Sequence, residues 1–384
     1  MSGRISRVRE AMERAGLDVL VARNPENVLY LSGYWPVNGW SLAVIPRDGE
    51  PLLIVPESEL MYAEDSWIRD VRPIPVEKLD EVWNPYRHFE SVLREFEVPE
   101  RSRVGVELSF ETSSITSLGV ELSYTSIPTI ELIERVWNAK LVDAAPLLYE
   151  LRRVKDEWEI SRIRLACELV SLGLDAAREK LREGVREVEM AAAFEREVHV
   201  RGTGYRGARR VRGYAFVMSG ENASRAWYPY NVSSERRVRR GDLVLLELNV
   251  CVDGYWADVT RTWSLGTPSR EFEDMHSTLI AAQDEVYENF RSGMLACDVD
   301  ALARETVERR GYGMLFPHRL GHGIGVRLHE PPALHPASRE VLVRGMVHTV
   351  EPGLYGRDFG MRVEDVVLDL DAGVEVLSKY PREL

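Results

Sequence analysis

The sequence predicts two domains, an α/β unit followed by an α+β unit, and three observations carry that reading. At 384 residues the chain is too long for one ordinary core and long enough for two domains that each bury an apolar interior. Its N-terminal part alternates helical patterns with short β-rich runs. Between Leu141 and Lys155 a proline-marked connector, LVDAAPLLYELRRVK, leads into two long helical patterns and then into strands. The first domain is accordingly placed at residues 1–150 and the second at 151–384.

In the first domain, Ile5, Val8 and Met12 recur at helical spacing. The apolar runs Asp18 to Val21 and Asn24 to Tyr30 follow, a helix-then-strand order. SLAVIPRDGEPLLIV reads as a hairpin turning at Arg47-Asp48-Gly49-Glu50, and VRPIPVE, SRVGVE and LSYTSIP read as further short strands. In the second domain, Ile160 to Lys180 is one long helix and a second begins near Val188, after Gly184. Beyond Tyr214 come β-rich runs, a helix from about Arg270 to Arg291, a shorter one near Val299 to Arg310, and strands to the end. Mixed helices and largely antiparallel strands define the α+β class.

Composition excludes several functions. At 45% hydrophobic and 29% charged residues there is no room for a long disordered segment. A net charge of −13 opposes a phosphate backbone, and the basic run Arg236, Arg237, Arg239, Arg240 reads as a solvated edge, so no nucleic-acid partner is expected. Cys167, Cys251 and Cys297 are too scattered for a disulfide framework. With a charged, amphipathic start and no bilayer-length apolar run, the expectation is a cytoplasmic protein without a membrane partner.

The chemistry concentrates in the last third. Leu243 to Val250 alternates so that Glu247 and Asn249 share one face and Val244, Leu246, Leu248 and Val250 the other. Asp253-Gly254 is a type I′ turn signal that pairs Val252 with Tyr255 and Asn249 with Asp258, leaving Glu247 and Asp258 diagonal neighbours. Two carboxylates so placed in a half-buried sheet repel unless a cation neutralises them. HRLGHGIG sets one imidazole, His322, among glycines that leave room for close approach of backbone and substrate. Seven residues on, His329 supplies a second imidazole suited to proton transfer or to an oxyanion. Glu351 precedes Pro352-Gly353, and Glu364 lies in MRVEDVVLDL, both fitting acids delivered by strand ends. Singly, such residues are usually core or surface groups. Taken in order, with TRT, GHGIG, HE, EPG and VED around them, they read as a ligand set for two divalent ions, Mn²⁺ or Co²⁺ first and Zn²⁺ or Fe²⁺ next, in a metal-dependent hydrolase.

These motifs resemble the pita-bread-fold metallopeptidases, which include Xaa-Pro dipeptidases, aminopeptidase P and methionine aminopeptidases, with creatinase as a metal-free relative. RISRVREAMERAGLDVLVARNPENVLYLSGY is similar to the N-terminal domain of prolidases and creatinase, and KDEWEISRIRLACELV to the start of their catalytic domain. The resemblance implies a creatinase-like N-terminal domain before a pita-bread catalytic domain, a small peptide or amide substrate and a homodimer. It further implies that Asp258 and Glu364 bridge two metals, that His322 and Glu351 bind one of them, and that Glu247 completes the set. His329 would assist the tetrahedral intermediate, Glu351 would transfer the proton, and Arg362 would stand beside substrate or bridging carboxylate.

The chain departs from the family pattern at Glu247, where Asp is usual, and at Asn249, where Gly is usual. The longer arm of Glu247 puts one metal site in question. Tyr230 replaces a histidine near the substrate, and Ala333 stands where several prolidases place an arginine. Two alternatives therefore stand beside the peptidase: a creatinase-like or lyase-like enzyme for a small non-peptide amide or amidine, and a catalytically silent binding protein.

Overall fold

The computed structural model describes residues 2–37, 40–76, 85–109, 127–227 and 232–384. It divides into two compact units, whose described residues run up to Arg152 and from Arg153 onward.

The first unit is a layered α/β structure. Its elements are α1 (Ser2–Ala15), β1 (Val19–Ala22), α2 (Pro25–Ser32), β2 (Leu42–Pro46), β3 (Leu52–Pro56), α3 (Leu60–Ala63), β4 (Asp70–Ile74), α4 (Pro85–Glu95), β5 (Arg103–Val106), α5 (Ile127–Trp137), β6 (Lys140–Asp143) and α6 (Ala145–Arg153). The strands form one sheet in the order β4-β3-β2-β1-β5-β6. Strand alternation feeds two cores: Leu20 and Ala22 pack with Val8, Met12 and Leu148, whereas Val19 and Val21 pack with Phe89, Leu93 and Leu132. The expected hairpin forms as β2 and β3, with Val44 opposite Leu52. Two expectations change. Asn24 to Tyr30 belongs largely to helix α2, because Pro25 suits the first helical turn and Gly33, at φ 77°, closes the last one. In LSYTSIP, Ile127 and Pro128 open helix α5 rather than ending a strand, and residues 122–126 lie outside the described residues.

The second unit opens with α7 (Glu157–Lys180) and α8 (Glu187–Gly202). A reciprocal cap starts α7: Asp156 accepts from the Glu159 amide and Glu159 from the Asp156 amide, each at 3.0 Å. Then follow β7 (Val211–Ser219), β8 (Leu243–Val252), β9 (Tyr255–Ser264), α9 (Arg270–Asn289) and α10 (Ala296–Arg309). The remaining strands are β10 (Gly321–Gly323), β11 (Glu330–Leu334), β12 (Val347–Val350), β13 (Gly353–Tyr355), β14 (Gly360–Arg362), β15 (Asp365–Asp369) and β16 (Val374–Val376). They form a three-stranded sheet β7-β8-β9, a five-stranded sheet β11-β10-β12-β15-β16 and the ribbon β13-β14. Every one of these pairings is antiparallel. Helices α9 and α10 supply Leu279, Val286, Val299 and Val307 to a core completed by Leu334, Val350 and Val367 of the five-stranded sheet. Among the described residues no helix is long and apolar enough to cross a membrane.

Candidate metal centre

The β8–β9 hairpin sets the first half of the site. Asp253 (φ 50°) and Gly254 (φ 90°) both take the positive φ that a type I′ turn requires, and Val252 faces Tyr255 across the ladder. Asn249 consequently lies opposite Asp258 and Glu247 opposite Thr260, all four on one face. Asn249 Nδ2 donates to Asp258 Oδ1 at 2.7 Å, and Thr260 Oγ1 donates to Glu364 Oε2 at 2.6 Å.

The second half comes from the five-stranded sheet and its ribbon. His322 is the middle residue of β10, flanked by glycines for a packing reason: a Cβ on Gly321 would overlap the Thr349 carbonyl, and one on Gly323 the Pro331 carbonyl. The space that glycine leaves is thus filled by neighbouring backbone, not held open for substrate. Glu351 immediately follows β12, and Glu364 sits between β14 and β15. The Glu364 amide donates to the Thr260 carbonyl at 3.0 Å, which joins this half to the hairpin.

The tautomer of His322 follows from its partners. Nδ1 lies 3.1 Å from the Gly323 carbonyl, an acceptor only, so Nδ1 carries the proton. Burial, then the neighbouring His329 and Arg319, push the imidazole pKa well below its ordinary value, leaving Nε2 as a lone pair. That lone pair faces Glu351 Oε1 at 3.5 Å and Asp258 Oδ2 at 3.7 Å. Neither distance is a hydrogen bond, and three lone pairs facing one another repel.

The carboxylates report the same mismatch. Burial raises the pKa of Asp258 well above the carboxylate range, reinforced by Glu364, Glu247 and Glu351. Glu364 is raised by burial and by Glu351, and Glu351 by burial against the opposing pull of Arg362 and Arg319. Glu364 Oε1 is buried with no hydrogen-bond partner. One donor atom each from Asp258, His322 and His329 lies within 4.8 Å of the others, as does one each from His322, Glu351 and Glu364. Hard oxygens, one neutral imidazole and an orphaned buried oxygen fit a divalent first-row cation.

Glu247 is placed differently. It shares the hairpin face but joins neither of those two donor sets; its Oε2 is 2.9 Å from Arg362 Nη2. Arg362, only 5% exposed, also donates to Thr260 Oγ1 at 2.9 Å and to the Ala226 carbonyl and Tyr355 hydroxyl, both at 3.2 Å; its Nε lies 3.7 Å from Glu364 Oε2. Although burial opposes its charge, Tyr355, Glu247 and Glu364 hold its pKa above the ordinary value.

His329 stacks obliquely on His322, with ring centroids 4.2 Å apart. Burial, with Arg319 and Arg362 nearby, lowers its pKa to about 3, and its Nδ1 has no partner. It is a neutral imidazole with a free ring nitrogen. Tyr230 lies outside the described residues. Ala333 faces His322 across β10 and β11.

Sequence reasoning passed over Thr260, which bridges Glu364 and Arg362, although the alternation that placed Asp258 places Thr260 on the same face. It also passed over His318, a half-buried imidazole whose pKa desolvation lowers to about 3 and whose Nε2 has no partner. Nothing in the local pattern separates His318 from an ordinary core histidine.

With this geometry in hand, the similarities are specific. The profile of metallopeptidase family M24 matches residues 161–368, and that of the creatinase/prolidase N-terminal domain matches residues 4–154. Over all of both chains the sequence is 32% identical to an Xaa-Pro dipeptidase of Pyrococcus furiosus. It is 31% identical to a putative dipeptidase of Bacillus subtilis over 99% of each chain. The crystal structure of the prolidase from Pyrococcus horikoshii superposes with a TM-score of 0.79 at 29% identity, covering 99% of each chain. The chain belongs to metallopeptidase family M24, with a creatinase-type N-terminal domain followed in sequence by the pita-bread catalytic fold, and it is a metal-dependent peptidase. The non-peptide amide enzyme and the silent binding protein are not favoured.

Proposed function

We propose, with family M24 membership as the premise, that the protein is a dinuclear dipeptidase that removes the residue before proline in Xaa-Pro dipeptides, working as a cytoplasmic homodimer. The observation that carries this reading is the convergence of Asp258 and Glu351 on Nε2 of a neutral His322, with Glu364 in the same donor cluster and its Oε1 unpaired. The full-length similarity to an Xaa-Pro dipeptidase supports the substrate. Three cysteines that remain thiols, Cys167 and Cys251 buried among them, suit a reducing compartment.

Asp258, Glu364, His322, Glu351 and Glu247 would hold the two divalent ions, Mn²⁺ or Co²⁺ by this donor set. When bound, such ions supply the Lewis acidity that makes water a nucleophile at neutral pH and polarises the peptide carbonyl. Glu351 takes the proton from the attacking water and passes it to the leaving proline nitrogen. His329, neutral at any physiological pH, donates a hydrogen bond to the carbonyl oxygen as that atom gains charge. Arg362 holds Glu247 and Thr260 in place and stands as the cation beside the substrate. The test is hydrolysis of an Xaa-Pro panel beside Xaa-Ala and tripeptide controls, by protein stripped with chelator and reloaded with Mn²⁺ or Co²⁺. Cleavage confined to Xaa-Pro dipeptides, lost on chelation, is expected. Turnover that survives chelation with no metal bound sinks the reading, and light scattering checks the dimer.

A further inference from the structure

Directly behind the ligand face lies an arginine with every donor committed. Arg261 follows Thr260 on β9, so strand alternation turns it to the opposite face, where it is 1% exposed. A guanidinium has five N–H groups. Nη1 donates to the carbonyls of Thr260 at 2.9 Å and Glu364 at 2.6 Å. Nη2 donates to Asp365 Oδ1 at 2.7 Å and the Tyr380 carbonyl at 2.9 Å, and Nε to the Pro381 carbonyl at 3.0 Å. Asp365 is itself held by the Ser378 hydroxyl at 2.7 Å and the Tyr287 hydroxyl at 3.1 Å.

We infer that Arg261 is a positioning residue for Glu364: its planar fork locks the Thr260 and Glu364 carbonyls to each other and to the segment Ser378–Pro381, and so sets how accurately Glu364 presents its carboxylate. The inference rests on Glu364 being a metal ligand, as proposed above. Three observations support it. The fork spans the junction where the hairpin and the five-stranded sheet deliver their separate ligands. The atoms it grips belong to Glu364 itself and to Thr260, whose hydroxyl bonds the Glu364 carboxylate on the other face. Its geometry is irreplaceable by a point charge, because lysine has no planar set of donors to span two carbonyls, a carboxylate and two further carbonyls. Groups that orient ligands in this way typically change metal affinity by about 10- to 100-fold when removed.

The experiment measures Co²⁺ affinity by competition with a chromophoric chelator, the visible ligand-field spectrum of the Co²⁺ protein, and the thermal midpoint, in wild type, Arg261→Lys and Arg164→Lys. Arg164 is a control of like chemistry: it forks onto Glu375 at 2.6 and 2.7 Å, without touching a proposed ligand. Expected for Arg261→Lys is a dissociation constant raised about tenfold or more, with an altered spectrum. Arg164→Lys is expected to lower at most the melting temperature. A folded Arg261→Lys protein with wild-type affinity and spectrum overturns the inference, whatever its melting temperature. If that variant does not fold, Ser378→Ala decides. It removes the hydroxyl that donates to Asp365 and accepts from the Val366 amide at 3.0 Å, and a smaller affinity loss is expected, an unchanged affinity being contrary. Wild-type protein that takes up no Co²⁺ sinks the metal-centre reading itself, and the inference with it.

Discussion

Two sets of buried or half-buried charges lie side by side in the sequence of the catalytic unit and differ in one respect. On the proposed ligand face, Asp258, Glu351 and Glu364 meet a neutral imidazole, and burial drives the carboxyls toward protonation. In the other set every carboxylate has a cation: Lys155 to Glu330 at 2.9 Å, Arg261 to Asp365 at 2.7 Å and His348 to Asp369 at 2.9 Å. Each of those side chains is 2% exposed or less. Neighbours in sequence are split between the sets, as with Thr260 and Arg261, His329 and Glu330, and Glu364 and Asp365. Depth of burial therefore does not mark a functional site in this protein. What marks it is buried carboxylate in excess of the nearby Arg362 cation, an excess that a bound metal ion would offset.

The largest expected effect breaks the ligand set. Asp258→Asn keeps the shape and removes the charge, and turnover should fall by about 10³-fold or more, the loss of roughly 4 kcal/mol of stabilisation in the transition state. The metal-free variant should melt no lower than metal-free wild type, since removing one of several repelling carboxylates relieves the unmatched face. A melting temperature several degrees lower would mean that Asp258 is structurally matched after all, and the distinction between the two sets would collapse.

The matched set should behave in the opposite sense. Lys155→Met removes the ammonium that lies 2.9 Å from the buried Glu330 carboxylate, and breaking a buried pair from one side typically costs about 3–5 kcal/mol. Denaturant unfolding should show that loss, and the double variant with Glu330→Gln should recover most of it. If Lys155→Met leaves stability within about 1 kcal/mol of wild type, the pair is not holding the loop that carries His329.

How far the two sets could be read from sequence follows from range. The hairpin half was legible because its register is set locally: Asp253-Gly254 fixes the turn, and alternation then aligns Glu247, Asn249, Asp258 and Thr260. The glycines around His322 were legible as a need for space, though not as space filled by the Thr349 and Pro331 carbonyls. Arg261 with Asp365 and His348 with Asp369 were not legible, because each joins residues that only the completed sheets bring together. Nothing in TRT or HTVEPG says which neighbour faces the proposed metal site and which faces a partner carboxylate. Helix α2 was obscured for a related reason: the seven-residue run Asn24 to Tyr30 fits strand or helix until Pro25 and Gly33 are read as marking the helix ends.

His348 gives a pH signature that His322 lacks. Burial pushes its pKa down, but the Asp369 carboxylate outweighs burial and leaves it raised, whereas His322 is lowered. A raised folded-state pKa means stability that is fully present below the unfolded value of about 6.5 and is lost as pH climbs through the folded value, at about 1.4 kcal/mol for each unit of elevation. In metal-free protein the melting-temperature gap between wild type and His348→Gln should thus be widest near about pH 6 and narrow toward about pH 9. A gap that widens with pH would place His348 among the neutral imidazoles instead.

Glu247 belongs to neither set cleanly and gives the smallest and sharpest test. It stands on the ligand face, yet Arg362 holds it at 2.9 Å, and its side chain keeps 28% exposure. A cation bound there has to share the carboxylate with a guanidinium, whose charge repels it and whose own hydrogen bonds to Thr260, Ala226 and Tyr355 fix it in place. Shortening the arm in Glu247→Asp draws the carboxylate back from Arg362 by about one bond length. The second ion should then bind a few-fold more tightly, a change of about 1 kcal/mol or less, because the ion pair being weakened is partly solvated. Elemental analysis after loading with Mn²⁺ reads the outcome as ions per subunit. An increase in the variant means that the Arg362 pair competes with the second ion in the native protein. Two ions in wild type, with no gain in Glu247→Asp, would mean that Glu247 binds metal and Arg362 together, and that matched and unmatched charge can coexist on one side chain.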